Sequence, residues 1–264
     1  MKLFNDDCLK VLPTIPNSSI DLIITSPPYD NIRDYNNSSI WNFDIFKNIA
    51  VELQRVLKNN GVIVWIVNDA TINGSETGNS FKQALYFKEI GLNLHDTMIW
   101  QKETFTAVGS IKTRYAPVFE YMFILSKGKP KTFNPIKDRK NIKANVKIHG
   151  TLRQKNGQTK PVSSNGRYIK EYGIRFNVWK INSEKSNKTN HPAVFPTNLA
   201  IDHIKTWSNE NDLILDCFMG SGTTGLVCKY LKRDFIGIEI DQEYFKIAKE
   251  RIEINNQKQI SLFI

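Results

Sequence analysis

The first 126 residues alternate between short solid apolar runs and apolar positions at helical spacing. Residues 20–25 form one such run, ended by Pro27-Pro28, and this predicts a strand. From 43 to 57 the apolar positions fall at 46, 49, 50, 53, 56 and 57, the stripe of an amphipathic helix. After Gly61, residues 62–67 are apolar throughout, as in a strand covered on both faces. A helix over 80–90 stopped by Gly91, and strands over 94–100 and 121–125, complete this part.

The pattern disappears between 127 and 190, which is rich in Lys, Asn, Gly and Ser and holds no sustained period. Loops and short strands are expected there, with 175–181 as one strand. Order returns at 191. A helix over 198–207 with Thr197 as N-cap, a buried strand over 213–217 and a glycine turn come first. A helix to 231, a strand over 235–240 and a final helix from an Asp241 cap to 254 follow. This β-α-β-α run predicts a parallel sheet. The domain reading is 1–126 and 191–264 as two halves of one α/β domain, with 127–190 inserted between them.

Charge sharpens the middle segment. The chain of 264 residues has a net charge of +10. From 127 to 190 there are 17 Lys and Arg against three acids (Asp138, Glu171, Glu184), so this block is +14 and the rest of the chain −4. An excess gathered in one block predicts a phosphate-binding surface. Three cysteines, Cys8, Cys217 and Cys228, with no CxxC pair, argue against a disulfide scaffold and a zinc site and for a reducing cytosol. No metal is expected. Residues 1–8 carry Asp6 and Asp7 and no apolar run, and 62–67 is too short to span a bilayer. The expectation is a cytoplasmic protein away from membranes.

Two turns carry candidate chemistry. Asp216-Cys217-Phe218-Met219-Gly220-Ser221-Gly222-Thr223-Thr224 joins a strand to a helix, where free N–H groups and close backbone approach suit a ligand. Glu239 ends the next strand, 17 residues after Gly222, placed to accept from two ribose hydroxyls. Gly220, Gly222 and Gly225 also fit G-x-G-x-x-G, so an NAD-binding oxidoreductase is an alternative. Against it, only 42 residues follow Gly222, so the remaining strands must come from the N-terminal half in a permuted sheet. The second turn is Ser26-Pro27-Pro28-Tyr29. Two prolines donate no backbone N–H, so the corner is rich in acceptors, and Tyr29 adds an aromatic face. That combination suits a flat ring bearing an amino group, such as a base taken out of the helix.

These two motifs resemble those of the DNA amino-methyltransferases, which carry (Asp/Asn/Ser)-Pro-Pro-(Tyr/Phe/Trp) and Phe-x-Gly-x-Gly. Here they are Ser26 to Tyr29 and Phe218 to Gly222, with the catalytic motif first, an order similar to the β group of that family. The resemblance implies a Rossmann-like sheet of permuted order, a target-recognition insert, and S-adenosyl-L-methionine as methyl donor. It further implies double-stranded DNA as substrate and catalytic roles for Ser26, Pro27, Pro28 and Tyr29. Cofactor contacts fall to Asp7, Cys8, Asp216, Phe218, Gly220, Ser221, Gly222, Thr223, Thr224 and Glu239. His191 to Pro196 resembles a segment lining the methionine end. Ser26 at the first catalytic position tilts the target toward N4 of cytosine, with N6 of adenine the alternative. A protein-glutamine methyltransferase is a more distant alternative, since a planar amide suits the same corner. A restriction endonuclease partner and a monomeric or homodimeric state are what the resemblance allows. Arg153, Arg167, Tyr168, Arg175 and Trp179 are the candidate base readers, unranked.

Overall fold

The computed structural model describes residues 1–28, 41–103, 113–182 and 196–253. They fall into two compact units, Met1–Asn134 with Asn177–Ile264, and Pro135–Phe176. The larger unit is a sheet of β1 (Lys2–Asn5), β2 (Ile20–Thr25), β3 (Leu57–Val67), β4 (Asn93–Gln101), β5 (Phe119–Ser126), β6 (Val178–Lys180), β7 (Leu213–Asp216) and β8 (Asp234–Glu239). Their order across the sheet is β1-β8-β7-β2-β3-β5-β4-β6. Every neighbouring pair is parallel except those made by β5, which runs against β3 and β4. The helices are α1 (Cys8–Val11), α2 (Phe43–Val56), α3 (Asn79–Glu89), α4 (Thr197–Trp207), α5 (Thr223–Tyr230) and α6 (Gln242–Glu253). This is the Rossmann-like, mostly parallel α/β architecture with the permuted order expected from the position of the glycine turn.

The local chemistry explains the elements. Asn42 caps α2 by accepting from the N–H groups of Asp44 and Ile45 at 3.0 and 2.9 Å. The stripe Phe46, Ile49, Ala50, Leu53 and Val56 then faces inward. It meets Trp65 of β3 and Phe87 of α3, whose rings pack edge-on at 5.3 Å. The Trp65 indole N–H is satisfied by Gln83 Oε1 at 2.8 Å, so the buried ring carries no orphan donor.

Three of the differences from expectation have a local cause. β3 starts at Leu57 rather than 62, because Leu57 already pairs with Ile20 before a register shift. Thr197 is the first helical residue of α4, not its cap; Pro196 holds that place without a side-chain acceptor. The strand expected over 175–181 shrinks to Val178–Lys180, since the Arg175 N–H is committed to Ile136 O within the smaller unit. β1, with no strong pattern of its own, was absent from the sequence reading.

The smaller unit is built of ribbons: Arg139–Lys140 with Tyr172–Gly173, and Thr151–Arg153 with Thr159–Pro161. Arg175 pairs with Asp138, and the Arg139 guanidinium lies 4.4 Å from the Phe176 ring centroid. Its large apolar side chains Ile142, Tyr168 and Phe176 are exposed, so polar contacts and short ladders, not a core, organise it.

Candidate active site

The carboxyl ends of β1, β8, β7, β2 and β3 lie on one edge of the sheet, because these strands are parallel. From β7 the chain continues through α5 to β8 on one side; from β2 it continues through α2 to β3 on the other. The strand order therefore reverses between the parallel neighbours β7 and β2, the place where open α/β sheets hold their ligands. The two turns singled out in the sequence leave from these two strands.

On the β7 side, Asp216 is buried and ends the strand. Its Oδ1 accepts from Thr25 Oγ1 at 2.7 Å and from the Phe218 N–H at 3.2 Å, and its Oδ2 accepts from Thr224 Oγ1 at 2.7 Å. Burial pushes this carboxyl above the ordinary range, while the hydrogen bonds from Thr224, Thr25 and Phe218 pull the other way. Thr25 is the last residue of β2 and directly precedes Ser26. One carboxylate thus ties the end of the proline-corner strand to the glycine turn and to the first turn of α5, across 191 residues of chain.

The turn itself is set by its glycines. Gly220 and Gly222 have φ of +53° and +81°. A Cβ on Gly222 would stand 2.8 Å from the Ala248 Cβ, so α6 packs on bare backbone there. The Gly220 N–H donates to Glu239 Oε2 at 2.7 Å, and the Asp241 N–H to Oε1 at 2.9 Å. Each Glu239 oxygen keeps a second lone pair. Burial raises the Glu239 carboxyl above its ordinary value, against the hydrogen bonds from Asp241 and Gly220. Arg251 of α6 reaches back to donate to Ser221 O and, at 2.8 Å, to Ser221 Oγ. Thr223 is buried, and Phe218 meets Trp41 edge-on at 5.6 Å.

At the next strand end, Asn5 pairs with Glu239, and its side-chain amide donates to Glu239 O at 2.9 Å. This places Asp7 close along the same edge. Asp7 caps α1 by accepting from the Leu9 N–H at 2.9 Å. Cys8 is buried beside it; burial, then Asp7, push its thiol up to about 12. Burial also lifts Cys217 and Cys228 well above the usual thiol range. Burial disfavours the thiolate at all three, so none offers an activated cysteine nucleophile.

On the β2 side, Pro27 is buried and Ser26 and Pro28 are half-buried. Tyr29 and residues 191–195 lie outside the described residues. Of the candidate base readers, Trp179 is buried in β6 with its ring 4.5 Å from that of His203, which removes it from an exposed reading surface. Among the described residues no cluster of His, Cys, Asp or Glu is arranged to hold a metal ion, and no helix is long and apolar enough to cross a membrane.

Sequence reasoning missed Thr25, Arg251 and Asp69. Asp69 lies just past β3 and gathers the Ser80 N–H at 3.0 Å and the Thr77 hydroxyl at 3.1 Å, fixing the start of α3 along the same edge. Thr25 had a signal in its place beside Ser26. Arg251 had none, because its partner lies 30 residues away.

Comparison with known proteins agrees with this layout. A family model described as DNA methylase, of N6 and N4 type, matches residues 20–250. The orphan methyltransferase M.BamHII of Bacillus amyloliquefaciens is 50% identical over 247 residues, covering 90% of this chain and 91% of its own. The type II methyltransferase M.HpaI of Haemophilus parainfluenzae is 30% identical over 261 residues, covering 96% of this chain and 74% of its own. The structure of the M1.HpyAVI–SAM complex aligns with a TM-score of 0.65 at 26% identity, over 96% of this chain and 99% of that one. The PvuII DNA methyltransferase (cytosine-N4-specific) aligns with a TM-score of 0.70 at 24% identity, over 98% and 89%, a likeness of fold. A match over most of the chain, together with half the residues shared with one relative, shows that this protein is a DNA methyltransferase of the N6/N4 DNA methylase family.

Proposed function

We propose that the protein transfers a methyl group from S-adenosyl-L-methionine to N4 of a cytosine flipped out of duplex DNA. The observation that carries the reading is the Thr25–Asp216–Thr224 tie, which holds the Ser26-Pro27-Pro28 corner beside the glycine turn.

The residues present fit such a cofactor. Glu239 offers one remaining lone pair on each oxygen to a pair of ribose hydroxyls. Gly220, at φ +53°, leaves the turn without a Cβ beside Glu239, while Gly222 lets α6 pack close behind the turn, and Asp7 and Cys8 flank it past the end of β1. When bound, the cofactor supplies a methyl group on a sulfonium, which is the electrophile. The protein's part is placement. The amino nitrogen of a cytosine spreads its lone pair into the ring and is a weak nucleophile. Ser26 Oγ and the Pro27 carbonyl accept its two N–H bonds, favour a pyramidal nitrogen and direct the lone pair outward. Pro27 and Pro28 keep competing N–H donors away from that corner. Tyr29 stacks on the base and fixes its plane. Positioning and preorganised acceptors supply the rate, and no strong base is required: the nitrogen becomes acidic only as it gains the methyl, and the proton it then sheds passes by way of Ser26 Oγ to water.

Ser26 favours cytosine over adenine by its likeness to enzymes with serine at that place. The test is to incubate the protein with duplex DNA and methyl-labelled cofactor, digest the product and separate the nucleosides by mass. N4-methylcytosine is expected. N6-methyladenine as the sole product would overturn the base assignment, and absence of label in DNA would overturn the reading as a whole.

A further inference from the structure

We propose that the ribbon of Thr151–Arg153 and Thr159–Pro161 enters the major groove of DNA and reads bases there, with Arg153 and Gln154 as readers and Lys155 and Lys160 on phosphates. The proposal rests on the reading of duplex DNA as substrate and adds which element sets its sequence preference.

The ribbon is antiparallel, with Arg153 opposite Thr159 and Leu152 opposite Lys160. Gln154 N donates to Gln158 O and Gly157 N to Gln154 O, and Gly157 at φ +83° closes the turn. Asn156 accepts from the Gln158 N–H at 3.1 Å and donates to Gln158 Oε1 at 3.3 Å, so these two side chains are spent on holding the tip.

Stability does not explain such an element. A lone two-stranded ribbon is marginal in water, and ribbons persist when a face packs against something. Here all six strand residues are exposed, and the one large apolar side chain among them, Leu152, is 53% exposed. Among the described residues, Arg153, Gln154, Lys155 and Lys160 make no side-chain hydrogen bond or ion pair. Other polar groups of the same unit are committed: Arg175 to Asp138, Arg139 to Ile174 O and the Phe176 ring, and the Asn141 amide to Lys170 O. The unit spends those groups on itself and leaves Arg153, Lys155 and Lys160 exposed, with Gln154 half-buried at the start of the turn.

The shape and the chemistry match one partner. The major groove is about 12 Å wide and admits a two-stranded ribbon, whose strands lie about 4.8 Å apart. Arg forks to the O6 and N7 of guanine, and Gln to the N6 and N7 of adenine. Strand alternation places Arg153 on one face and Lys160 on the other, so a reader and a phosphate contact do not compete for the same side. The unit as a whole, Pro135–Phe176, carries 11 Lys and Arg against Asp138 and Glu171, which favours an anionic partner.

The experiment uses the full-length protein and a randomised duplex library, with methylated sites and their context found by long-read sequencing. For Arg153→Ala and Gln154→Ala, discrimination at one position of the motif each is expected to fall by roughly 5- to 150-fold, with cofactor affinity unchanged. Arg153→Lys keeps the charge but loses the fork and is expected to relax the same position. Lys155→Ala and Lys160→Ala are expected to weaken DNA binding alike at all sequences and to reduce its salt slope by about one each. Retention of the parental motif with undiminished discrimination by Arg153→Ala and Gln154→Ala would overturn the proposal, as would full discrimination by Arg153→Lys. A parent protein that methylates no duplex would instead sink the substrate reading, and the ribbon with it. Far-UV circular dichroism of each variant confirms that a change in the motif is not a change in fold.

Discussion

The hydroxyl of Thr25 is a small group with a large reach. It is buried, and its bond to Asp216 links two segments that the chain keeps 191 residues apart. Thr25→Val keeps the shape and removes the donor, so Asp216 loses one of three partners in a dry place. A loss of about 1–3 kcal/mol in unfolding free energy is expected, together with a larger fall in kcat than in cofactor affinity. Thr25→Ser restores the donor and is expected to recover most of the rate. Equal kcat for Thr25→Val and the parent would show that the tie does not position the corner. Glu239 has a consequence in pH. Burial raises its carboxyl, so the free protein holds this proton to a higher pH than an ordinary glutamate does. Binding that needs the ionised form is complete above the raised value and weakens as the pH falls through it. Calorimetric titration of S-adenosyl-L-methionine against pH is expected to show this decline starting above the usual glutamate range, and Glu239→Gln is expected to abolish that step. The same shift acts on stability with the opposite sense, because the folded chain binds the proton more tightly: the group's contribution falls as pH rises from the unfolded value to the raised one. The thiols give a third check. With Cys8 raised to about 12 and burial holding Cys217 and Cys228 well above the usual thiol range, iodoacetamide at pH 7.5 is expected to leave all three unmodified in the folded protein. Rapid labelling of any of them would contradict the burial on which the shifts rest.

Helix α6 acts as a lid on the glycine turn. Ala248 fills the space that a Cβ on Gly222 would need, and Arg251 holds Ser221 from the same helix. Gly222→Ala meets both a positive φ and a backbone contact at 2.9 Å, so the helix must move. A stability loss of about 1–3 kcal/mol is expected, with weaker cofactor binding; thermal unfolding and calorimetry read the two effects. Periodicity made most elements legible. The α2 stripe, the solid run of β3 and the β-α-β-α order of the last third stand in the sequence because burial imposes them residue by residue. β1 was not legible, since four residues on the sheet edge carry too short a pattern. The start of β3 was hidden because Lys58, Asn59 and Asn60 are polar within the strand span, where the Leu57–Ile20 pairing overrides their composition. The Arg251 contact was invisible for a different reason: long-range side-chain bonds leave no periodic trace.

At the scale of the molecule, the sequence order placed the proline corner first and the glycine turn last, and a permuted parallel sheet is the way to bring them together. The sheet order confirms this, with β2 and β7 as neighbours at the point where the connections diverge. The candidate site was legible as residue types, at Asp216, Gly220, Gly222 and Glu239, but not as a network. That Asp216 accepts from both sides of the crevice is a property of the folded arrangement, with no trace in the sequence. The charge asymmetry was legible too, though nothing in the composition separated the committed arginines Arg139 and Arg175 from the open Arg153. The central claim is that the two distant motifs form one methyl-transfer site with divided labour. Single-turnover transfer to duplex DNA, measured with cofactor affinity for Ser26→Ala and Glu239→Gln, tests it most directly. Ser26→Ala should bind cofactor as the parent does and transfer about 100-fold more slowly or worse, while Glu239→Gln should lose affinity first. Parental rates and affinities in both variants would contradict it.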